Sequence, residues 1–395
     1  MILQNSACKR VFFNGLLRTV LLYCKNECGE VLGQKGVLMK KSLFQNTGRF
    51  YKANLHAHTN VSDGKLTPEE AKEAYKACGY EILAYTDHEV LVPHPELQDE
   101  HFLPLTGTEY QFNNQFGTFR DPATGEVVVP PKYITRKMVY HVIFLAPKAD
   151  ETYYPWPSRG IVWGNAKEHM QDYFVGEKPR SSDPSIINAA IRDAKEHGFL
   201  TTLCHPFWSM NRYADYAALE NLDFVETYNS ACEIEGYALD NSERPFDDLL
   251  SLGKKVFPTC SDDSHGLKSV GRAATYVKAP ELSYDAVFQS LKQGDVFATT
   301  GPLFKDVSFD PETCILSVET SPVRLIMLTS SVRFARRVGD RRSGTVTSAE
   351  FDLHDVIDAL CRYDVPEDHF FRLTLIDEGG YRAYSRGYFI PELFA

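Results

Sequence analysis

Two spacings in this sequence are suited to chemistry: histidine two residues after histidine, and histidine two residues after aspartate. His56 and His58 stand in His-Ala-His, and Asp263 and His265 in Asp-Ser-His. On an extended chain, residues i and i+2 project to the same side, so each pair can grip one cation from two directions. Three further histidines follow the same logic: His88 in Thr-Asp-His, His141 in Tyr-His-Val-Ile-Phe and His205 in Cys-His-Pro. Interleaved with them are two carboxylates, Asp63 in Ser-Asp-Gly and Glu109 in Gly-Thr-Glu-Tyr. Nearly all of these residues follow directly on a short apolar run. Imidazoles and carboxylates gathered at strand ends would form a cavity of unsatisfied polar groups unless cations organised them. An isolated His-x-His is a weak signal, more often a surface or core pair. The weight lies in the ordered set.

The elements that must position these residues alternate between strand and helix. After an apolar run at 53–55, Thr67, Pro68 and Glu70 read as N-cap, first helical residue and returning half of a capping box, with Gly79 as terminator. Strands are expected at 81–85, 103–108 and 138–146. Asp183 and Pro184 open a helix carrying Ile186, Ile187, Ala190, Ile191 and Ala194 on one face; Gly198 closes it, and a strand follows at 200–204. Further strands are expected at 224–228, 255–259 and 273–277, and helices near 246–252 and 284–292. About seven strands alternating with helices predict parallel β/α architecture, either a barrel or an open doubly wound sheet. A barrel gathers the C-terminal ends of its strands on one face, where the candidate residues would meet. The phosphate-loop, dinucleotide and nucleophile-elbow patterns do not occur. Past Gly301 and Pro302 the texture becomes β-rich. We therefore expect an N-terminal extension over 1–50, a catalytic barrel over 51–300 and a smaller β-rich domain over 301–395.

Composition narrows the function classes. The 395 residues carry 53 acidic and 42 basic side chains, a net charge of −11, which disfavours a dedicated nucleic-acid binder. The nine cysteines are scattered, as expected of reduced thiols in a cytoplasmic protein. The most apolar N-terminal stretch, 11–24, is broken by Asn14 and Arg18, so no membrane span is expected.

Taken in order, the HAHT and SDG, YTDH, GTE, H, HP and DDSH motifs resemble those of the PHP (polymerase and histidinol phosphatase) metallohydrolase family, over about residues 51–300. The resemblance implies a distorted TIM-like barrel of seven β/α units with two or three divalent ions (zinc, manganese or iron) at its C-terminal face. Carried over residue by residue, it places His56, His58, Glu109 and Asp263 around a first ion. Glu109 would bridge to a second ion held by His141 and His205, and Asp63, His88 and His265 would hold a third. Asp63 stands where some members carry histidine. His141 is the unusual ligand, because it precedes its apolar run instead of ending it. Asp87 and Asp262 are readable either as partners that orient a ligand imidazole or as turn-fixing residues.

The chemistry so implied is metal-assisted hydrolysis of a small organic phosphate ester. Two ions about 3.5 to 4 Å apart would share and acidify a water and neutralise the phosphoryl group. His265, Asp63 and Asp263 form the expected catalytic set, with the third ion, or His265 or Asp63 where that ion is absent, assisting the departing alkoxide. Arg272 and Arg159 are the cations expected to seize the phosphate. Two rival readings stand beside this one: an amidase or carbamate-ester hydrolase using the same activated water, and a non-catalytic metal-stabilised module.

Overall fold

A computed structural model of the chain describes residues 40–45, 47–113, 119–120, 127–128, 138–170, 176–236, 242–360 and 369–394. Most of the expected N-terminal extension lies outside them. The chain divides into two compact units, one comprising 47–301 with 381–386, the other including 302–380 and the residues from 387 onward.

The first unit carries every candidate site residue. Its strands are β1 (Arg49–Asn54), β2 (Ile82–Tyr85), β3 (Leu103–Phe112), β4 (Tyr140–Leu145), β5 (Leu200–Leu203), β6 (Phe224–Asn229), β7 (Phe257–Ser261), β8 (Ala274–Ala279) and β9 (Val296–Thr299). Between them run α1 (Pro68–Ala77), α2 (Pro184–Glu196), α3 (Glu243–Ser251) and α4 (Tyr284–Gln293). Helix α1 starts where its capping box dictates. The Thr67 hydroxyl accepts from the Glu70 amide at 3.2 Å, and the Glu70 carboxylate accepts from the Thr67 amide at 2.9 Å. Ala71 and Tyr75 form its buried face. In α2, Asp183 caps the Ser185 amide at 2.9 Å, and Ile187, Ala190, Ile191 and Ala194 are buried.

Sheet order is β7-β6-β5-β4-β3-β2-β1-β8-β9, followed by Arg382–Ser385. The β7/β6, β6/β5, β3/β2 and β2/β1 pairs are parallel. The β5/β4, β4/β3, β1/β8 and β8/β9 pairs are antiparallel. This corrects the expectation of an all-parallel β/α barrel: the unit is a mixed α/β fold around one large sheet. Its ladder does not close among the described residues. The strand at one end, β7, nevertheless meets β8, where the Thr275 hydroxyl bonds both the amide and the carbonyl of Cys260, each at 3.2 Å. One face of the sheet buries Ala53, Leu105 and Leu145 against Val287 and Leu291 of α4; the other buries Leu83 and Tyr85 against Ala71 and Tyr75 of α1. With both faces covered, a strand such as β2 is buried at every position.

The second unit is built of antiparallel strands. Lys41–Ser42, Phe304–Asp310, Ile315–Val323 and Val346–Asp352 form one sheet, and Leu325–Ser330 pairs with Ala335–Gly339 and with Phe370–Ile376. No helix among the described residues is long and apolar enough to cross a membrane.

Candidate metal centre

The candidate ligands sit where strands stop. His56 and His58 follow β1, His88 follows β2, Glu109 lies in the second half of β3, His205 follows β5, and Asp263 and His265 follow β7. Backbone bonds align these ends: His58 N donates to Ser264 O at 3.0 Å, and Asp263 N to His56 O at 2.9 Å. His141 reaches the same edge by a different route. Strand β4 runs antiparallel to β3, with His141 in register with Gln111, so the beginning of β4 lies beside the end of β3. That is why this histidine precedes its apolar run.

All nine candidates converge. His56 Nε2 and His58 Nε2 are 3.1 Å apart, and Asp263 Oδ1 lies 3.3 and 3.1 Å from them. Glu109 stands at the centre, its Oε1 within 3.3 Å of His56 Nε2, 2.9 Å of His141 Nδ1 and 3.2 Å of His205 Nε2. Its Oε2 is 3.2 Å from both His58 Nε2 and His88 Nδ1. Toward the open side, Asp63 Oδ1 is 3.4 Å from His265 Nε2, and Asp63 Oδ2 is 4.0 Å from His88 Nε2. Donor atoms mutually within 4.8 Å form three groups of particular interest: His56, His58 and Glu109; Glu109, His141 and His205; and His58, Asp63, His88 and His265.

A surrounding layer fixes these rings. Glu226 Oε1 bonds His56 Nδ1 at 2.8 Å, while Glu226 Oε2 accepts from the His205 amide at 2.8 Å. The Asn229 amide group bridges Glu226 and Asp263, 3.1 Å from each. Ser209 Oγ lies 3.0 Å from His205 Nδ1. Sequence reasoning missed Glu226 and Asn229; the available signal was a carboxylate inside the buried strand β6. The two open aspartates prove to be turn-fixing. Asp87 accepts from the amides and hydroxyls of Thr59 and Ser62, at 2.7 to 3.1 Å. Asp262 accepts from the amides of Gly271, Arg272 and Ala273, at 2.7 to 3.1 Å. His205 and Asp263 adopt positive φ values of 29° and 48°, a conformation that side-chain-bearing residues hold only where surrounding structure enforces it.

Charge is strongly organised here. Burial opposes ionisation of Glu109 and Asp263, yet the facing histidines hold both well below the usual carboxylate range. Burial likewise disfavours a charged His58, but Asp263 and Glu109 outweigh it and push this group up to about 10. His88 is pushed down to about 3, by burial first and then by the charge of His58. The field that draws protons onto His56 and His58 is the field a divalent cation would satisfy. His58 Nδ1 and Asp263 Oδ1 are buried with no hydrogen-bond partner among the described residues. Together with the mixed nitrogen and oxygen donors, these orphaned atoms fit divalent metal.

The cluster forms the floor of a cleft of about 640 Å³, lined on its walls by Lys65, Trp208, Ile234, Leu267 and Lys268 among others. Arg272 and Arg159 are not among the lining residues. Arg272 is exposed, and its Nε donates to Lys268 O at 3.0 Å; Arg159 is also exposed.

No protein-family model and no curated protein matches the chain. Among solved structures, the chain is similar to a two-domain protein from Bacteroides vulgatus containing a predicted PHP-like metal-dependent phosphoesterase. Identity is 14%, over 90% of this chain and 100% of that one, with a TM-score of 0.39. It is also similar to an amidohydrolase from Chromobacterium violaceum with bound sulfate and no metal, at 14% identity over 62% of this chain and 96% of that one, TM-score 0.36. A third similarity is to a lesion-specific endonuclease from Pyrococcus furiosus, at 12% identity over 79% and 66%, TM-score 0.33. Likenesses this distant carry no functional argument, which rests on the donor atoms.

Proposed function

We propose that this protein is a metal-dependent hydrolase of small organic phosphate esters. The observation that carries this reading is the meeting of His56 Nε2 and His58 Nε2 at 3.1 Å, with oxygens of Asp263 and Glu109 within 3.3 Å of them. His56, His58, Glu109 and Asp263 would hold one ion, Glu109, His141 and His205 a second, and Asp63, His88 and His265 a third. Zinc, manganese and iron all suit such a donor set. Bound there, divalent ions supply acidification of the attacking water and neutralisation of charge on the phosphoryl group.

The chain's own residues do the rest. The His56 Nδ1–H donates to Glu226 Oε1 at 2.8 Å, which leaves Nε2 as a lone-pair donor facing the cluster. Trp208 packs its ring against His205 and His141, with centroids 4.9 and 5.6 Å away, and shields that side from bulk water. The Asp263 carbonyl holds His265 Nδ1 at 3.0 Å, so His265 Nε2 faces Asp63 Oδ1 at 3.4 Å. When the third ion is not bound, a proton shared by these two atoms, on the cleft side of the cluster, is placed to reach the departing oxygen. We also read the curled sheet as a distorted seven-unit barrel, a reading supported by the approach of β7 to β8.

The test is to assay p-nitrophenyl phosphate beside a p-nitrophenyl carbamate with manganese or zinc added. Phosphate release that disappears in the His56→Ala/His58→Ala variant is the expected result. Hydrolysis of the carbamate alone would replace this reading with the amidase one, and turnover unchanged in the double variant would remove the cluster from catalysis.

A further inference from the structure

Resting on that reading, we infer that the substrate is a phosphate monoester of an apolar alcohol, aryl or alkyl, with Lys65 and Lys268 recognising its anion. The two lysines come from turns that are stitched together. Lys65 N donates to His265 O at 3.1 Å, and the Lys65 stem lies across Gly266, where an added Cβ would meet Lys65 Cδ at 3.6 Å. Lys268 follows three residues after His265. Both side chains are exposed and line the cleft, and neither ammonium has a carboxylate partner among the described residues. Cations left unpaired beside a metal-ligating floor favour a dianion over a neutral ester, each as a mobile point charge.

Apolar side chains lining the same cleft select the alcohol. Leu66, Ala231, Cys232, Ile234 and Leu267 offer it no hydroxyl or amide side chain. Leu267 is 68% exposed and Ile234 40%, apolar surface that gains by being covered. Two polar groups beside them already have partners: Glu235 Oε2 accepts from Trp208 Nε1 at 2.9 Å, and Ser269 Oγ donates to Gly266 O at 3.3 Å. A sugar's hydroxyls would exchange water for few partners along these apolar side chains, whereas a phenyl or alkyl group gains by covering them.

Calorimetric titration of the manganese-loaded protein with phenylphosphonate and methylphosphonate tests this, since neither compound is hydrolysed. Phenylphosphonate is expected to bind at least about tenfold more tightly than methylphosphonate. Ile234→Ser/Leu267→Ser should erase that preference and leave methylphosphonate affinity unchanged. Lys65→Ala/Lys268→Ala should weaken both ligands by about tenfold or more. All four positions lie on the surface, and thermal melting confirms that each variant is folded. Equal affinity for the two phosphonates, or lysine variants that bind as the parent does, overturns the inference. If p-nitrophenyl phosphate is still turned over in that case, the phosphoesterase reading survives alone; if no phosphonate binds and no phosphate ester is cleaved, both fall.

Discussion

Glu226 and His56 are joined by a 2.8 Å hydrogen bond between side chains that are both fully buried. A carboxylate buried behind an imidazole fixes which ring nitrogen carries the proton and raises the basicity of the other. Because the second oxygen of Glu226 holds the His205 amide, one residue orients both an inner histidine and the turn after β5.

Glu226→Gln is therefore expected to lower metal affinity by about 10- to 100-fold while the fold persists. Competition with a chromophoric chelator measures the affinity, and circular dichroism monitors the fold. Affinity equal to the parent's would show that Glu226 only fills space.

His141 belongs to the group with Glu109 and His205 and is not one of the His56, His58 and Glu109 group. His141→Ala should cost about one equivalent of bound metal and spare the inner group, because a three-donor site seldom survives loss of an imidazole. His101→Ala, at an exposed side chain outside the cluster, should leave the stoichiometry unchanged. Identical metal content in the two variants would place His141 outside the metal centre.

Asp99 ties α1 to the chain before β3. Its Oδ2 lies 2.8 Å from Lys72 Nζ and 2.7 Å from Lys76 Nζ, and these bonds, Lys72 first, hold its carboxyl below the usual range. A folded-state value depressed below the unfolded one gives stability that is present above about pH 4 and lost as pH falls through the depressed value. Asp99→Asn should thus cost at most about 1 kcal/mol at pH 7, since the pair is partly exposed, and the difference should shrink toward zero in strong acid. Urea unfolding of both proteins at pH 7 and in acid checks the sign. A difference that grows on acidification would contradict it.

Much of this arrangement is legible in the sequence, and what is not has physical causes. Thr67, Pro68 and Glu70 announce α1 because capping is local, and Asp183 and Pro184 announce α2 for the same reason. The nine candidate ligands are legible because nearly all fall at an edge of an apolar run. Strand direction is not: the run after His141 reads the same parallel or antiparallel, so β4 was expected to conform to its neighbours. Glu226 sits inside a strand, where nothing in the spacing separates it from a surface carboxylate. Lys65 and Lys268 matter through the turn-to-turn bond between Lys65 and His265, a long-range contact that no local pattern encodes.

The central claim is that nine donors from distant parts of the chain share divalent ions, and elemental analysis tests it most directly. After equilibration with manganese or zinc and removal of free metal, the protein should retain about two to three ions per chain. The His56→Ala/His58→Ala variant, folded by the same criteria, should lose at least one of them. A parent protein that retains no stoichiometric metal, or a double variant that retains as much as the parent, would contradict the account.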